Sequence, residues 1–220
     1  MDIAPSRPCA PDDPLPLAGE RLEEVAPLTG PDFAAAFGFS LARLGEAVDP
    51  RPIVITASKA WLNERGRPFA QGLGIAGGRL LLVATAKEAQ ALWALEEALK
   101  SGAVAGGLGI AEDVGFVTTR RLDFAAKAGR AAAVLLRPRP IEDLSAAHLR
   151  WRISPLASAH DLLDARSPGA VRWRADLVRR RDGPPRTWDV EQDDETHRLR
   201  LAARLAGDGL VADGWAVAAA

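Results

Sequence analysis

The chain predicts an α/β fold: a mostly parallel sheet flanked by helices, with an antiparallel extension towards the C-terminus. Three observations carry this. Residues 79–109 read strand, helix, strand, which implies a βαβ unit and hence parallel strands. Two more short apolar runs, at 52–56 and 131–136, have the look of further buried strands. After His148 the apolar period changes to two, as in sheets with one covered face.

Taken in order, residues 1–17 form a flexible arm, rich in proline (Pro5, Pro8, Pro11, Pro14, Pro16) and carrying Asp12 and Asp13. Residues 21–25 are a short strand, and Pro27 to Pro31 a turn. Residues 32–44 are a helix that Asp32 can cap, with Phe33, Phe37 and Leu41 as its apolar stripe. A short helix spans 59–65, and a glycine-rich loop spans 68–78. Leu80 to Val83 is expected to be a strand buried on both faces.

From Lys87 the period becomes 3.6, with Leu92, Leu95 and Leu99 on one helix face and Ser101-Gly102 as the stop. Trp93, beside that stripe, is expected to pack between helix and sheet. Residues 103–108 return as a strand, 118–128 as a helix and 131–136 as a strand that Pro138 and Pro140 end. Residues 148–154, 171–181, 187–191 and 197–201 are the antiparallel strands, the last two forming a hairpin. The expected core includes Phe33, Phe37, Leu92, Leu95, Leu99 and Val134.

The 220 residues suit one domain, and 48% hydrophobic content can fill its core. A net charge of −1 argues against a strongly basic nucleic-acid module. There is no run of about 18 apolar residues and no signal pattern, so the expectation is a cytoplasmic protein. The single cysteine, Cys9, allows neither an internal disulfide nor a cysteine metal site.

Few motifs carry chemistry. Gly72, Gly74 and Gly77 match GxGxxG, but they precede a strand where a dinucleotide fingerprint must follow one. A phosphate loop of the GxxxxGK[ST] type is absent, and His148, His160 and His197 lack metal-ligand spacing. Glu96-Glu97 and Asp193-Asp194-Glu195 read as solvated charge. The remaining cluster is basic: Arg172, Arg174, Arg179, Arg180, Arg181 and Arg186 lie on or near one strand. Arginine pairs well with phosphate, while Asp176, Asp182, Asp189 and Glu191 would blunt the field.

Five phrases carry a family resemblance: ALWALEEALKSGAV (91–104), TTRRLDFAAKAG (118–129), AAAVLLRP (131–138), LRWRISPLAS (149–158) and WDVEQDDETHRLRLAARL (188–205). With the order of elements they resemble RecA-like proteins of the ImuA family, also described as SulA-like. The resemblance implies a degenerate RecA-like domain over residues 18–205, between the arm and a C-terminal tail at 206–220.

Where a RecA phosphate loop would stand, the chain has Pro27, Gly30, Pro31, Asp32 and Phe33, with neither the loop lysine nor the hydroxyl. An aspartate there repels phosphate, and prolines remove N–H donors. Gly107-Leu108-Gly109 stands where a strand-end carboxylate is expected, and Arg137 where the family's γ-phosphate sensor falls. The segments matching the DNA-gripping loops, 109–117 and 137–147, are short.

The resemblance therefore implies a non-enzymatic adaptor with no cofactor, acting in damage-induced (SOS) mutagenic translesion synthesis. The partners it implies are ImuB, RecA and an error-prone polymerase. The alternatives are nucleic-acid binding through Arg172, Arg174 and Arg179–Arg181, modulation of RecA, or an ATPase with a degenerate loop. The tail residues Leu210, Val211, Trp215 and Val217 form a candidate partner-docking segment.

Overall fold

The computed structural model describes residues 14–45, 49–69, 79–140, 142–158, 164, 166–193 and 198–202. Its strands are β1 (Leu22–Pro27), β2 (Ile53–Ser58), β3 (Leu80–Thr85), β4 (Gly106–Ile110), β5 (Ala132–Leu136), β6 (Leu149–Leu156), β7 (Arg172–Arg180), β8 (Arg186–Gln192) and β9 (Leu199–Leu201). Its helices are α1 (Phe33–Gly45), α2 (Lys59–Arg65), α3 (Glu88–Lys100) and α4 (Phe116–Gly129).

All nine strands join one sheet in the order β3-β2-β4-β5-β1-β6-β7-β8-β9. From β3 to β6 the pairing is parallel, and from β6 to β9 it is antiparallel. The expected architecture is therefore present. The βαβ unit skips a place, because β2 lies between β3 and β4.

Strand alternation divides the core into two layers. Val25, Ile55, Leu108, Leu136, Trp151, Trp173 and Trp188 meet α1 on one face. Leu22, Val54, Ala133 and Leu135 meet α3 and α4 on the other. The first layer is aromatic: the Phe39 ring lies 5.5 Å from Trp151 and 6.2 Å from Trp173, both edge-on.

Glycines let the second layer close on β4. A side chain at Gly107 or Gly109 would meet the Leu95 methyls at 2.4 or 2.7 Å. Gly129 lets α4 end against α3, since a Cβ there would sit 1.7 Å from the Leu99 carbonyl oxygen. Gly102 ends α3 at φ +67, which a side chain disfavours.

Several expectations need correction. β3 is a sheet edge, so it is not buried on both faces, and Leu81 is 48% exposed. The buried side of α1 centres on Ala36, Phe39, Ser40, Arg43 and Leu44. Phe33 and Phe37 are only partly buried at its rim. The stripe i, i+4, i+8 drifts around a helix with 3.6 residues per turn, and it also hid the buried polar Ser40 and Arg43.

Trp93 is 59% exposed and does not pack against the sheet. Glu96 is buried, not solvated: Lys100, one turn further along α3, and Arg121 (2.6 Å), reaching over from α4, both pair with it. Burial opposes its ionisation, but these two hydrogen bonds outweigh that and hold its pKa below the ordinary value. Leu92, Leu95, Leu99 and Val134 are buried as expected.

Candidate functional site

The turn after β1 folds onto itself. The Thr29 N–H and hydroxyl both donate to the Asp32 carboxylate, at 2.9 and 2.7 Å. The Asp32 N–H donates to the Thr29 carbonyl at 3.0 Å. This capping box turns residues Gly30–Asp32 into one 3-10 turn that runs straight into α1. A carboxylate thus sits at the start of the helix, where a phosphate would otherwise meet free N–H groups. Pro31 offers no N–H. Phe33 lies in an aromatic cluster, 5.5 Å from Trp61 and 6.5 Å from Phe37, with Arg65 over its face. At the end of β4, Leu95 fills the space that any side chain at Gly109 would need.

Beside this turn, β1 presents two adjacent glutamates to opposite faces. Glu23 faces α1. Arg43 donates to it from Nε (3.1 Å) and Nη2 (2.6 Å), and Trp151 Nε1 donates at 3.0 Å. Arg43 also donates to the Pro16 carbonyl at 2.7 Å, which fastens the end of the N-terminal arm. One carboxylate and one guanidinium are thereby matched in the core.

Glu24 faces the opposite side, where register sets Arg150 of β6 beside it and Arg152 one row further on, beside Ala26. Arg137 follows β5, its N–H bonded to the Val25 carbonyl at 2.8 Å. Arg150 Nε approaches Glu24 Oε2 to 2.8 Å, and Arg137 Nη1 approaches Oε1 to 3.5 Å. Neither the Arg150 nor the Arg137 Nε–H has an aligned acceptor among the described residues, nor has Glu24 Oε2 an aligned donor. Burial pushes the Arg137 and Arg152 guanidiniums below the usual arginine range; Glu24 counters this and Arg150 adds to it.

The arginines singled out on β7 divide into two groups. Arg172 pairs with Glu191 at 2.9 Å and Arg174 with Asp189 at 3.0 Å across the β7–β8 ladder. Arg179, Arg180 and Arg181 sit at the far end of β7 without an ion-pair partner among the described residues. Register places Arg179 opposite Arg150. Leu210, Val211, Trp215 and Val217 lie outside the described residues, as do Gly72, Gly74 and Gly77.

At the other end of the parallel strands lies a cleft of about 710 Å³, lined by Glu20, Asp49, Arg51, Lys100 and Arg130 among others. Its cations are all engaged. Arg51 pairs with Asp49 at 2.6 Å and donates to the carbonyls of Gly102 (2.7 Å), Gly129 (3.4 Å) and Arg130 (3.1 Å), capping α3 and α4 together. Arg130 pairs with Glu20 at 3.2 Å, and Lys100 with Glu96 and Glu97. Among the described residues no group of three His, Cys, Asp or Glu could hold a metal ion, and no helix is long and apolar enough to cross a membrane.

Reading the sequence singled out Arg137 but missed Glu24, Arg150 and Arg152. The available signal was Arg150-Trp-Arg152 alternating with apolar residues on a strand that borders the Glu23-Glu24 pair.

No protein-family model matches the chain. The structure of the RadB recombinase is similar, with a TM-score of 0.52 at 10% identity over 85% of this chain and 93% of that one. That likeness shows a RecA-like fold. A structure of SulA from Pseudomonas aeruginosa matches 53% of this chain and 96% of its own at 22% identity, with a TM-score of 0.44, too low to bear on the fold. Protein ImuA of Caulobacter vibrioides, from strains NA1000 / CB15N and ATCC 19089 / CIP 103742 / CB 15, is 30% identical over 93% of this chain and 88% of its own length. With that identity over nearly the whole of both chains, this protein belongs to the ImuA family.

Proposed function

We propose that the chain is a non-catalytic RecA-like adaptor of the damage-induced mutagenic translesion synthesis complex, binding partner proteins instead of hydrolysing ATP. The observation that carries this is the Thr29–Asp32 capping box. It places a carboxylate at the α1 N-terminus and folds the turn shut, so a triphosphate finds repulsion where it needs N–H donors. Leu95 packed into the Gly109 space supports the same reading, since no carboxylate for magnesium fits there.

The partners follow from the family: ImuB first, then RecA and an error-prone polymerase. We assign the docking role to residues 206–220, through Leu210, Val211, Trp215 and Val217, because apolar side chains with a tryptophan suit an interface anchor. Co-purification with tagged ImuB tests the reading. The full chain should be retained. A variant lacking residues 206–220 should keep its melting temperature and lose retention. Unchanged retention, or a large fall in melting temperature, would reject the docking role, and no retention of the full chain would reject the adaptor role.

A second reading, nucleic-acid binding, is favoured by one observation: Arg179, Arg180 and Arg181 follow one another at the end of β7 without an ion-pair partner among the described residues, whereas Arg172 and Arg174 are neutralised by β8. Such binding would be non-specific and would weaken steeply with salt.

A further inference from the structure

The outward faces of α3 and α4 are not the polar surface that a helix normally turns to water. Val117 and Phe124 are 71% and 56% exposed on α4, and Trp93 is 59% exposed on α3. The two helices run side by side in register. Glu88 accepts the Asp113 N–H at 3.0 Å, just before α4, and Glu96 pairs with Arg121 at the same offset along the chain. Trp93 is therefore level with Thr118 and beside Val117. Val117 and Phe124 lie one turn before and one turn after Arg121, the residue that reaches across to α3. All three apolar side chains thus border the seam between the helices, whereas exposed apolar residues elsewhere, such as Leu17 and Val171, stand singly.

Charge narrows what can cover this face. The exposed positions of α3 and α4 carry Lys100, Arg120, Arg121 and Lys127 but only one carboxylate, Glu97. Buried Glu96 pairs with Lys100 and Arg121, and buried Asp123 with Lys127. Arg120 has no ion-pair partner among the described residues; its guanidinium lies 5.5 Å from the centre of the Phe124 ring. Tryptophan and arginine are the residue types that most often anchor interfaces. We propose that the α3–α4 face docks an acidic amphipathic helix of a partner protein. Its apolar side chains cover Trp93, Val117 and Phe124, and one of its carboxylates meets Arg120. This surface is separate from residues 206–220 and serves whether or not those residues dock a partner.

The test is fluorescence anisotropy of a labelled helical peptide titrated with the full chain. The peptide carries leucine at i, i+3, i+4 and i+7 and glutamate at most other positions. Wild-type protein should bind it saturably, and should bind a peptide with lysine in place of glutamate at least about tenfold less tightly. Trp93→Ala and Phe124→Ala should each weaken binding of the acidic peptide at least about tenfold. Arg120→Glu should do the same and flatten the salt dependence. It carries the test if an alanine variant fails to fold. Arg65→Glu, the same charge change on α2 across the sheet, should leave binding unchanged. Wild-type protein that shows no saturable binding, equal binding of the lysine peptide, or variants that bind as tightly as wild type would overturn the proposal. So would either of two other occupants. A dimer that Trp93→Ala makes monomeric in sedimentation assigns the face to a second copy. A variant lacking residues 206–220 that binds the peptide at least about tenfold more tightly than the full chain assigns it to the chain's own tail.

Discussion

Glu23 and Glu24 are neighbours on β1, yet they lie in opposite electrostatic surroundings. Strand alternation sends one to the α1 face and the other to the α4 face. Glu23 meets one arginine and one indole, and three aligned hydrogen bonds fill its oxygens. Glu24 meets two buried arginines with poor alignment, and a third lies one row away. The first arrangement is what a buried ion pair needs in order to fasten a helix and the N-terminal arm to a sheet. The second leaves the Arg137 and Arg150 Nε–H groups without an aligned acceptor among the described residues. Burial alone therefore does not tell a well-matched buried ion pair from a poorly matched one; the balance of donors and acceptors does.

The largest expected effect breaks the balanced side. Arg43→Met should cost about 3–5 kcal/mol, because it leaves Glu23 buried with only Trp151 for a partner. Urea denaturation measures it, and an unchanged midpoint would show that Glu23 is hydrated or protonated in the fold. Leu95→Ala calibrates the apolar hold on the other face. It should cost about 2–5 kcal/mol by the same measurement, since Leu95 is fully buried against Gly107 and Gly109.

Asp123 sharpens the comparison through pH. It is buried on α4, and burial opposes its ionisation. Hydrogen bonds from Lys127 (2.6 Å) and the Leu22 N–H (3.1 Å), with His148 nearby, overcome that and hold its pKa below the ordinary value. A lowered folded pKa means the stabilisation is complete above the unfolded value and is lost as pH falls through the folded one. Asp123→Asn should therefore flatten the loss of stability below about pH 4 while leaving the neutral slope alone. An unaltered acid limb would assign it to other carboxylates.

Arg137→Met is the counterpart of Arg43→Met. Glu24 keeps Arg150, so stability should change by less than about 1 kcal/mol, in the direction of a gain. A loss comparable to that of Arg43→Met would make the two clusters alike and erase the contrast. The smallest effect belongs to the surface ladder, where Arg174→Ala should cost less than about 1 kcal/mol, since both it and Asp189 are half-exposed.

Much of the frame was legible in the sequence because period reports burial. The alternation of Leu149, Trp151 and Ile153 placed β6 correctly, and the spacing of Leu92, Leu95 and Leu99 gave the phase of α3. The edge position of β3 was not legible, because LLLVAT is equally apolar at a sheet centre, and strand order is a long-range property. Trp93 and Glu96 were misread together: α4 lies to one side of α3, so a carboxylate is covered while a tryptophan is not. The missing loop lysine between Pro27 and Phe33 was legible, but the hydrogen bonds from Thr29 to the Asp32 carboxylate needed coordinates. The Glu24 cluster stayed hidden because its members lie on three separated segments that only the order β5-β1-β6 brings together.

We propose that the turn between β1 and α1 holds no nucleotide. Titration of the full chain with ATP in the presence and absence of magnesium tests it most directly. The expected result is no magnesium-dependent binding, and no affinity for ATP beyond that for inorganic triphosphate. A micromolar, magnesium-dependent affinity for ATP would contradict it.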